Sequence, residues 1–278
     1  MSRRSSVAKF AVLAIMLFSS VLASAAADSP RETAIKLVAQ VRAADYEGDR
    51  PALARLYAEL APFVNDSAMG SRVRYWRGFA LWRRALNGFN ETVDPKEQQH
   101  DLEQAAREFE SAVAMDPKFS DARAAAVSCI GFLIGYFQGD PARIEELRGR
   151  AGPLRKQAGE EAPDNPRYLW VMGTMLWYIP PERGGGQDKS IEAYEKGLAS
   201  ARKLKGSVTD PLEPSWGEPE CLMGLALASL NRAAPDLNAA EQYAQSALAL
   251  VPNWHYVRDI LMKQIRDAKA NQAGKTSP

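Results

Sequence analysis

The sequence has few of the residues on which most enzymatic and metal sites depend. Its 278 residues include two histidines, His100 and His255, and two cysteines, Cys129 and Cys221. The histidines lie far apart in no ligand motif, and no HExxH, GxSxG, phosphate-loop or paired CxxC pattern occurs. With so few cysteines, a disulfide-stabilised scaffold is excluded. The composition predicts a protein that is not an enzyme, with no catalytic residue, metal site or cofactor.

An excess of charge of either sign is also missing. Lys and Arg total 35 and Asp and Glu total 34, which gives a formal net charge of +1. Three of the basic residues (Arg3, Arg4 and Lys9) lie at the N-terminus, and the rest of the chain is close to neutral. A near-neutral chain has no electrostatic footprint for nucleic acid, so we expect no nucleic-acid partner.

Long apolar runs are likewise absent after residue 27, so no stable membrane span is expected there. Residues 1–27 combine a basic start, an apolar run over 10–22 and small residues around Ala23 to Ala25. This layout is typical of a secretory signal peptide, cleaved after Ala25 or Ala27. The run is shorter than the roughly 20 residues of a spanning helix, which favours cleavage over a retained anchor. We expect a periplasmic protein; an extracellular one has the same signal.

Apolar residues spaced by three and four indicate an all-α fold. The spacing, with Gly, Pro and charged punctuation, predicts eleven helices: 30–45, 51–62, 71–87, 97–115, 120–137, 141–161, 166–178, 187–204, 217–231, 237–250 and 254–270. Alternating, strand-like runs are scarce.

One pattern recurs in the second half of several of these helix pairs. Ala105, Phe109 and Ala112 share a helical stripe that stops at Pro117, since proline cannot continue a helix. The same spacing of two small residues and a proline occurs twice more, and a degenerate copy lacks the proline: Ala151, Ala158 and Pro163; Ala240, Ala247 and Pro252; Ser190, Tyr194 and Gly197. Each preceding helix carries a small or apolar marker: Gly78, Val127, Gly173 and Gly224. These matches predict an internal repeat.

The pattern resembles that of the tetratricopeptide repeat family, whose unit is a helix pair with an Ala-x3-aromatic motif and a closing proline. The resemblance covers about residues 71–252 and implies a right-handed superhelical array of antiparallel helix pairs, an α-solenoid. The family's repeat has about 34 residues, and the longer spacing here places irregular insertions at 87–97, 179–187 and 205–217. Arg155 also replaces the expected aromatic residue in the second copy.

The predicted organisation is a signal peptide followed by one helical repeat domain, 28–270, and a disordered tail. Its parts are an N-terminal helix pair (30–62), repeats at about 71–117, 120–163, 166–204 and 217–252, a capping helix (254–270) and the tail (271–278). Cys129 and Cys221 fall in the first helices of the second and fourth repeats, separated by a whole helix pair. Because a disulfide needs Cα atoms closer than about 7 Å, we expect two free, mostly buried thiols.

Aromatic and basic residues cluster in the first helices of the pairs, which line the concave surface in proteins of this family. Trp, Tyr and Arg dominate binding hot spots, so these positions predict a groove for a protein or peptide partner. The candidate binding residues in these helices are Arg72, Tyr75, Trp82, Arg167, Trp170, Trp177 and Tyr178, and Arg183 and Trp216 in two of the insertions are added to them. The alternative is that Trp170 and Trp177 fill the core between helices.

The segment IPPERGGGQDKS (179–190) offers a weaker candidate. Its glycines permit a conformation that exposes successive amides before a helix N-terminus, where an anion binds; the alternative is a plain connector. An enzyme with an unusual site here, involving Arg183, is the least favoured function.

Two other functions are weighed against each other. The first is a non-catalytic, exported scaffold that binds a protein or peptide in its concave groove. The second is a solute-binding or transporter-associated subunit, similar to the helical-repeat component of tripartite ATP-independent periplasmic transporters, with a possible small-molecule ligand. An enclosed pocket lined by Arg167, Trp170, Trp177 and Trp216 would favour the second function.

Overall fold

The computed structural model describes residues 28–276, and this part of the chain is all-helical, without a β-strand. The signal peptide predicted for residues 1–27 lies outside the described residues. The helices are α1 (Pro30–Glu47), α2 (Arg50–Glu59), α3 (Gly70–Asn87), α4 (Pro95–Met115), α5 (Ser120–Tyr136), α6 (Pro141–Glu161), α7 (Pro166–Tyr178), α8 (Gln187–Lys203), α9 (Glu218–Asn231), α10 (Leu237–Leu250) and α11 (Met262–Thr276). The prediction of an all-α fold is confirmed.

Several helices begin at a polar residue followed by proline, which explains why their starts were predictable. Ser29, Asp94, Asp140 and Asn165 each accept a hydrogen bond from a backbone N–H of the first turn. The proline that follows has no backbone N–H that could remain unpaired, and its φ angle already suits a helix. The sequence therefore specifies these starts locally, before any tertiary contact forms.

The C-terminal end differs from the prediction. A π-helical turn, Tyr256–Leu261, precedes α11, and α11 continues to Thr276 rather than ending at residue 270. The predicted disordered tail, 271–278, overlaps the end of this helix and includes residues 277–278, which lie outside the described residues.

Each helix from α1 to α10 packs against the next, although the contact between α6 and α7 is slight. A short 3₁₀ turn connects α2 to α3. The first helices of the predicted pairs also meet one another, α1 with α3, α5 with α7 and α7 with α9. None of the described helices is long and apolar enough to cross a membrane. Cys129 and Cys221 are buried free thiols, as expected.

The repeated small and aromatic residues mark close approaches between helices. The ring of Tyr194 on α8 lies between Gly173 on α7 and Gly224 on α9, where an added Cβ would come within 2.5 Å and 2.6 Å of it. In the pair formed by α3 and α4, a Cβ on Gly78 would lie 3.0 Å from Phe109. A larger residue at these glycines would push the ring aside, so the spacing recognised in the sequence is a packing rule.

The segment 205–217, here called the insertion, starts with exposed residues at 205–209 and then folds back into the interior. Its Leu212 and Trp216 are buried, with 1% and 4% of their surface exposed. The indole N–H of Trp76 donates to the Leu212 carbonyl at 2.8 Å, and that of Trp216 donates to the Tyr75 hydroxyl at 2.8 Å. The insertion therefore occupies the space beside α3 that an open groove would leave to solvent.

Three tryptophans from distant parts of the chain meet where the insertion contacts α3 and α7. The ring centroids lie 5.8 Å apart for Trp82 and Trp170, 5.9 Å for Trp82 and Trp216, and 5.6 Å for Trp170 and Trp216. Edge-to-face and tilted pairs at these distances add to the stabilisation from burial. The cluster joins α3, α7 and the insertion into one core.

A buried acid on α4 gives the first testable prediction. The side chain of Asp101 is 1% exposed; its Oδ1 accepts a hydrogen bond from Arg84 at 2.9 Å, and its Oδ2 has no partner. Burial raises the pKa of Asp101 to about 6, against the opposing charge of Arg84. Because the folded pKa exceeds the unfolded one, the stabilising effect is complete below pH 3.8 and is lost as the pH rises through 6.

We expect wild type to lose roughly 2–3 kcal/mol of unfolding free energy from this group between these pH values, and Asp101→Asn to lack that loss. Urea titrations at several pH values measure the difference between the two proteins. The exposed α6 variant Glu160→Gln should behave as wild type does. Parallel curves for wild type and Asp101→Asn would contradict the assignment.

Candidate functional site

A cavity of about 550 Å³ opens between the first helices of the pairs. Residues of α3, α5, α7 and α9 line it, together with Tyr194 of α8, the turn after α3 and the start of the C-terminal segment. Its volume lies within the range of small-molecule sites, about 300–1,000 Å³. The cavity is therefore the best candidate for a ligand site in the described part of the chain.

Aromatic side chains are prominent in the cavity wall, where they make up eight of the eighteen lining residues. Tyr178, at the end of α7, is 80% exposed, and Phe89 is 46% exposed and packs on Phe132 with a ring separation of 5.4 Å. The other aromatic lining residues are Trp170, Trp177, Tyr194, Trp254 and Tyr256. Such large exposed rings lose water-accessible area when a flat apolar molecule lies against them, which favours binding.

Arg83 is the one charged residue among the described side chains that line this cavity. It is 5% exposed, and its Nε donates to Oδ1 of Asp45 at 2.7 Å. No described residue accepts a hydrogen bond from either terminal nitrogen of Arg83. The rings of Phe79, Trp82 and Trp170 lie 5.7–5.9 Å from the guanidinium. A buried cation thus reaches the cavity with most of its donors unused.

Two buried carboxylates, Asp45 and Glu220, lie near Arg83 but do not line the cavity. Asp45 accepts a hydrogen bond from Nε of Arg83. Glu220 accepts hydrogen bonds from the Tyr46 hydroxyl and from the backbone N–H of Gly217, both at 2.7 Å. Burial raises the pKa of Asp45 and of Glu220, in each case against the charge of Arg83. The site therefore favours the charged form of Arg83 and disfavours the ionised forms of Asp45 and Glu220.

The structure brings three of the nine candidate residues together at this cavity: Trp170, Trp177 and Tyr178. Four others are buried instead of lining a groove: Tyr75, Trp82, Arg167 and Trp216. Their assignment to an open binding surface is corrected, because the insertion and α7 cover that face of α3. The alternative of core filling therefore holds for Trp170 in part, since it contacts both the tryptophan cluster and the cavity.

Arg72 lies at a separate, polar cavity of about 290 Å³ beside the insertion. It contacts Asp116 and donates to Glu213 at 2.7 Å, and neighbouring Arg31 pairs with Asp210. Every charged residue of this cavity is thus paired with another one, so Arg72 attaches the insertion to α3 and has no charge free for a ligand.

The glycine loop does not form the anion site that was considered for it. The amides of Gly184, Gly185 and Gly186 donate to the carbonyls of Pro181, Pro180 and Leu176. Gly185 also approaches the Ile179 carbonyl so closely that an added Cβ would lie 2.2 Å from its oxygen. The loop is a tightly bonded connector, and the exposed Arg183 is not among the residues that line the cavity.

Sequence reasoning missed most of the cavity lining, including Phe89, Phe132, Tyr194 and Tyr256, and did not keep Arg83 among its nine candidates. Phe89 sits in a segment read as an insertion, and Tyr194 was recognised only as a repeat residue. The signal that was available is Arg83 beside Trp82 on the first helix of a pair.

Comparison with solved structures shows a similarity of fold. No protein-family model matches the chain, and no curated protein matches it. Among solved structures, the chain is similar to the HusA haemophore from Porphyromonas gingivalis, with a TM-score of 0.52 and 21% sequence identity over 73% of this chain and 97% of that one. This similarity concerns the arrangement of helices.

Proposed function

We propose that the chain is an exported, non-catalytic binding protein that holds a planar, mostly apolar small molecule in the 550 Å³ cavity. The observation that carries the proposal is the wall of aromatic rings, among them Tyr178 at 80% exposure, around a cavity of small-molecule size. Flat rings complement a flat ligand, because stacked and edge contacts use their whole area.

Three further observations support this function. The described residues hold no group of three or more His, Cys, Asp or Glu side chains suited to a metal ion. The first 27 residues have the layout of a signal peptide, which places the protein in the periplasm under this proposal. The neighbour of similar fold is named as a haemophore, so haem belongs among the ligands to test.

The proposal takes up the second of the two functions weighed on the sequence. Under this proposal, the helix pairs form a right-handed array of the tetratricopeptide kind, and the insertion fills the concave side of that array. A protein or peptide partner stays a prediction; the volume of the cavity favours a ligand smaller than a folded partner.

Fluorescence titration with N-phenyl-1-naphthylamine, a neutral probe that brightens in apolar sites, tests the proposal. We expect saturable binding of about one probe per chain, weakened about tenfold or more by Tyr178→Ala, because this variant removes a contact ring at no cost in packing. Haem is the second probe, and we expect it to displace the first.

The matched control is Leu250→Ala, which removes an exposed apolar side chain on α10, outside the cavity. It should leave both probe affinity and melting temperature unchanged. Probe binding that does not saturate, or that is equal in the Tyr178 and Leu250 variants, would contradict a ligand site in this cavity.

A further inference from the structure

We propose that the ligand carries a carboxylate or similar oxyanion, which binds the two terminal nitrogens of Arg83 while its planar body lies against the aromatic wall. This inference rests on the proposed function and specifies the chemical class of the ligand. It follows from the placement of a single buried guanidinium at the cavity, with its donors on that side unpartnered.

The hydrogen-bonding capacity of Arg83 leads to this conclusion. A guanidinium has five N–H donors, and Asp45 accepts one, from Nε. Donors buried to 5% exposure without acceptors cost free energy unless a ligand or water accepts them. An oxyanion with two oxygens matches the pair of terminal nitrogens and binds them in a bidentate manner.

The surrounding charges are compatible with an anion at this point. No Asp or Glu is among the described residues lining the cavity. The two nearby carboxylates do not line the cavity and already have partners: Asp45 is occupied by Nε and Asn87, and Glu220 by Tyr46 and Gly217. The low exposure of Arg83 strengthens its attraction for a ligand charge relative to that of a surface arginine.

Two probes with one ring skeleton test this inference. We would titrate the purified protein with 8-anilinonaphthalene-1-sulfonate, which carries an anionic group, and with neutral N-phenyl-1-naphthylamine. We expect the sulfonate to bind at least about tenfold more tightly, since charge-assisted hydrogen bonds are worth about 1.5–3 kcal/mol. Arg83→Met should abolish this preference and leave the neutral probe bound.

A second variant covers the case in which Arg83→Met fails to fold. Asp45→Asn keeps an acceptor for Nε and removes the competing negative charge, so the preference for the sulfonate should increase severalfold. The matched control is Arg77→Met, which removes a buried arginine from another face of α3, where it donates to Glu108 and the Tyr57 carbonyl. If folded, this variant should keep the wild-type preference.

The outcomes separate the two proposals. If the wild type binds both probes equally and Asp45→Asn does not change their ratio, the anion inference is wrong while the cavity remains a ligand site. If neither probe binds saturably, the proposed function itself fails. A sulfonate preference that depends on Arg83 or rises in Asp45→Asn supports the assignment.

Discussion

Replacing Trp216 with Ala is expected to lower the free energy of unfolding by about 3–5 kcal/mol, the range for a buried Trp→Ala change. The residue is 4% exposed and contacts Phe79, Trp82 and Trp170, and its indole N–H donates to the Tyr75 hydroxyl. Removing it leaves a void where three parts of the chain meet and leaves a buried hydroxyl without its donor.

Thermal unfolding followed by circular dichroism measures this effect. For a chain of this size, the predicted loss corresponds to a decrease in Tm on the order of 10 °C. Trp216→Phe is the matched control: it keeps most of the apolar volume and loses only the hydrogen bond, so we expect a much smaller decrease, about 1–2 kcal/mol. A Tm within 2 °C of wild type for Trp216→Ala would mean that the insertion contributes little to the fold.

The local part of this fold was predictable from the sequence. Seven of the helices begin and end within one residue of their predicted limits, for example α6 and α10, because polar caps and prolines determine helix ends within a few residues. The close contacts of Phe109 with Gly78 and of Tyr194 with Gly173 were equally visible as a repeated spacing.

The burial of α3 could not be predicted in this way. The helix has buried residues nearly all round, including Tyr75, Trp76 and Trp82, because it packs on α1, α2 and α4 and is covered by the insertion. A helix in a plain repeat array keeps one face toward solvent, so the aromatic residues on that face were assigned to a groove. The position of Trp216, about 140 residues away in sequence, depends on tertiary contacts that no local pattern records.

The candidate site was only partly predictable, for the same reason. Trp170, Trp177 and Tyr178 share one helix, and their stripe is visible in the sequence. Phe89, Phe132 and Tyr256 come from three other elements, and each is unremarkable within its own segment. Their convergence is a consequence of how the pairs stack. The choice of Arg167 instead of Arg83 as a candidate shows the limit of sequence patterns. Both arginines lie near a tryptophan on the first helix of a pair, so the pattern does not distinguish them.

Replacing Asp121 with Ala is the second change for which a large effect is expected. Arg167 is buried, and its guanidinium contacts Asp121 and donates to the Trp216 carbonyl at 3.0 Å. Without the Asp121 carboxylate, the buried positive charge of Arg167 keeps one acceptor, the neutral carbonyl of Trp216. Breaking a buried ion pair in this way costs about 3–5 kcal/mol, so we expect a marked decrease in stability.

The double variant Asp121→Leu/Arg167→Met should recover most of this loss, because removing both charges leaves neither one unpaired. Asp164→Ala breaks the exposed pair with Lys196 and serves as the control, and its stability should equal that of wild type. Urea unfolding of the four proteins measures these differences. If Asp121→Ala and its double variant were equally unstable, the pair would not be what stabilises this contact.

The same variants separate a structural arginine from a ligand-binding one. Neither Asp121 nor Arg167 lines the cavity, so the folded double variant should bind N-phenyl-1-naphthylamine and its sulfonate as wild type does. Loss of the sulfonate preference in this variant, with stability retained, would return Arg167 to the binding site as the sequence first suggested. An unchanged preference would leave Arg83 as the arginine that meets the ligand, since the two residues differ in whether their donors are already used within the fold.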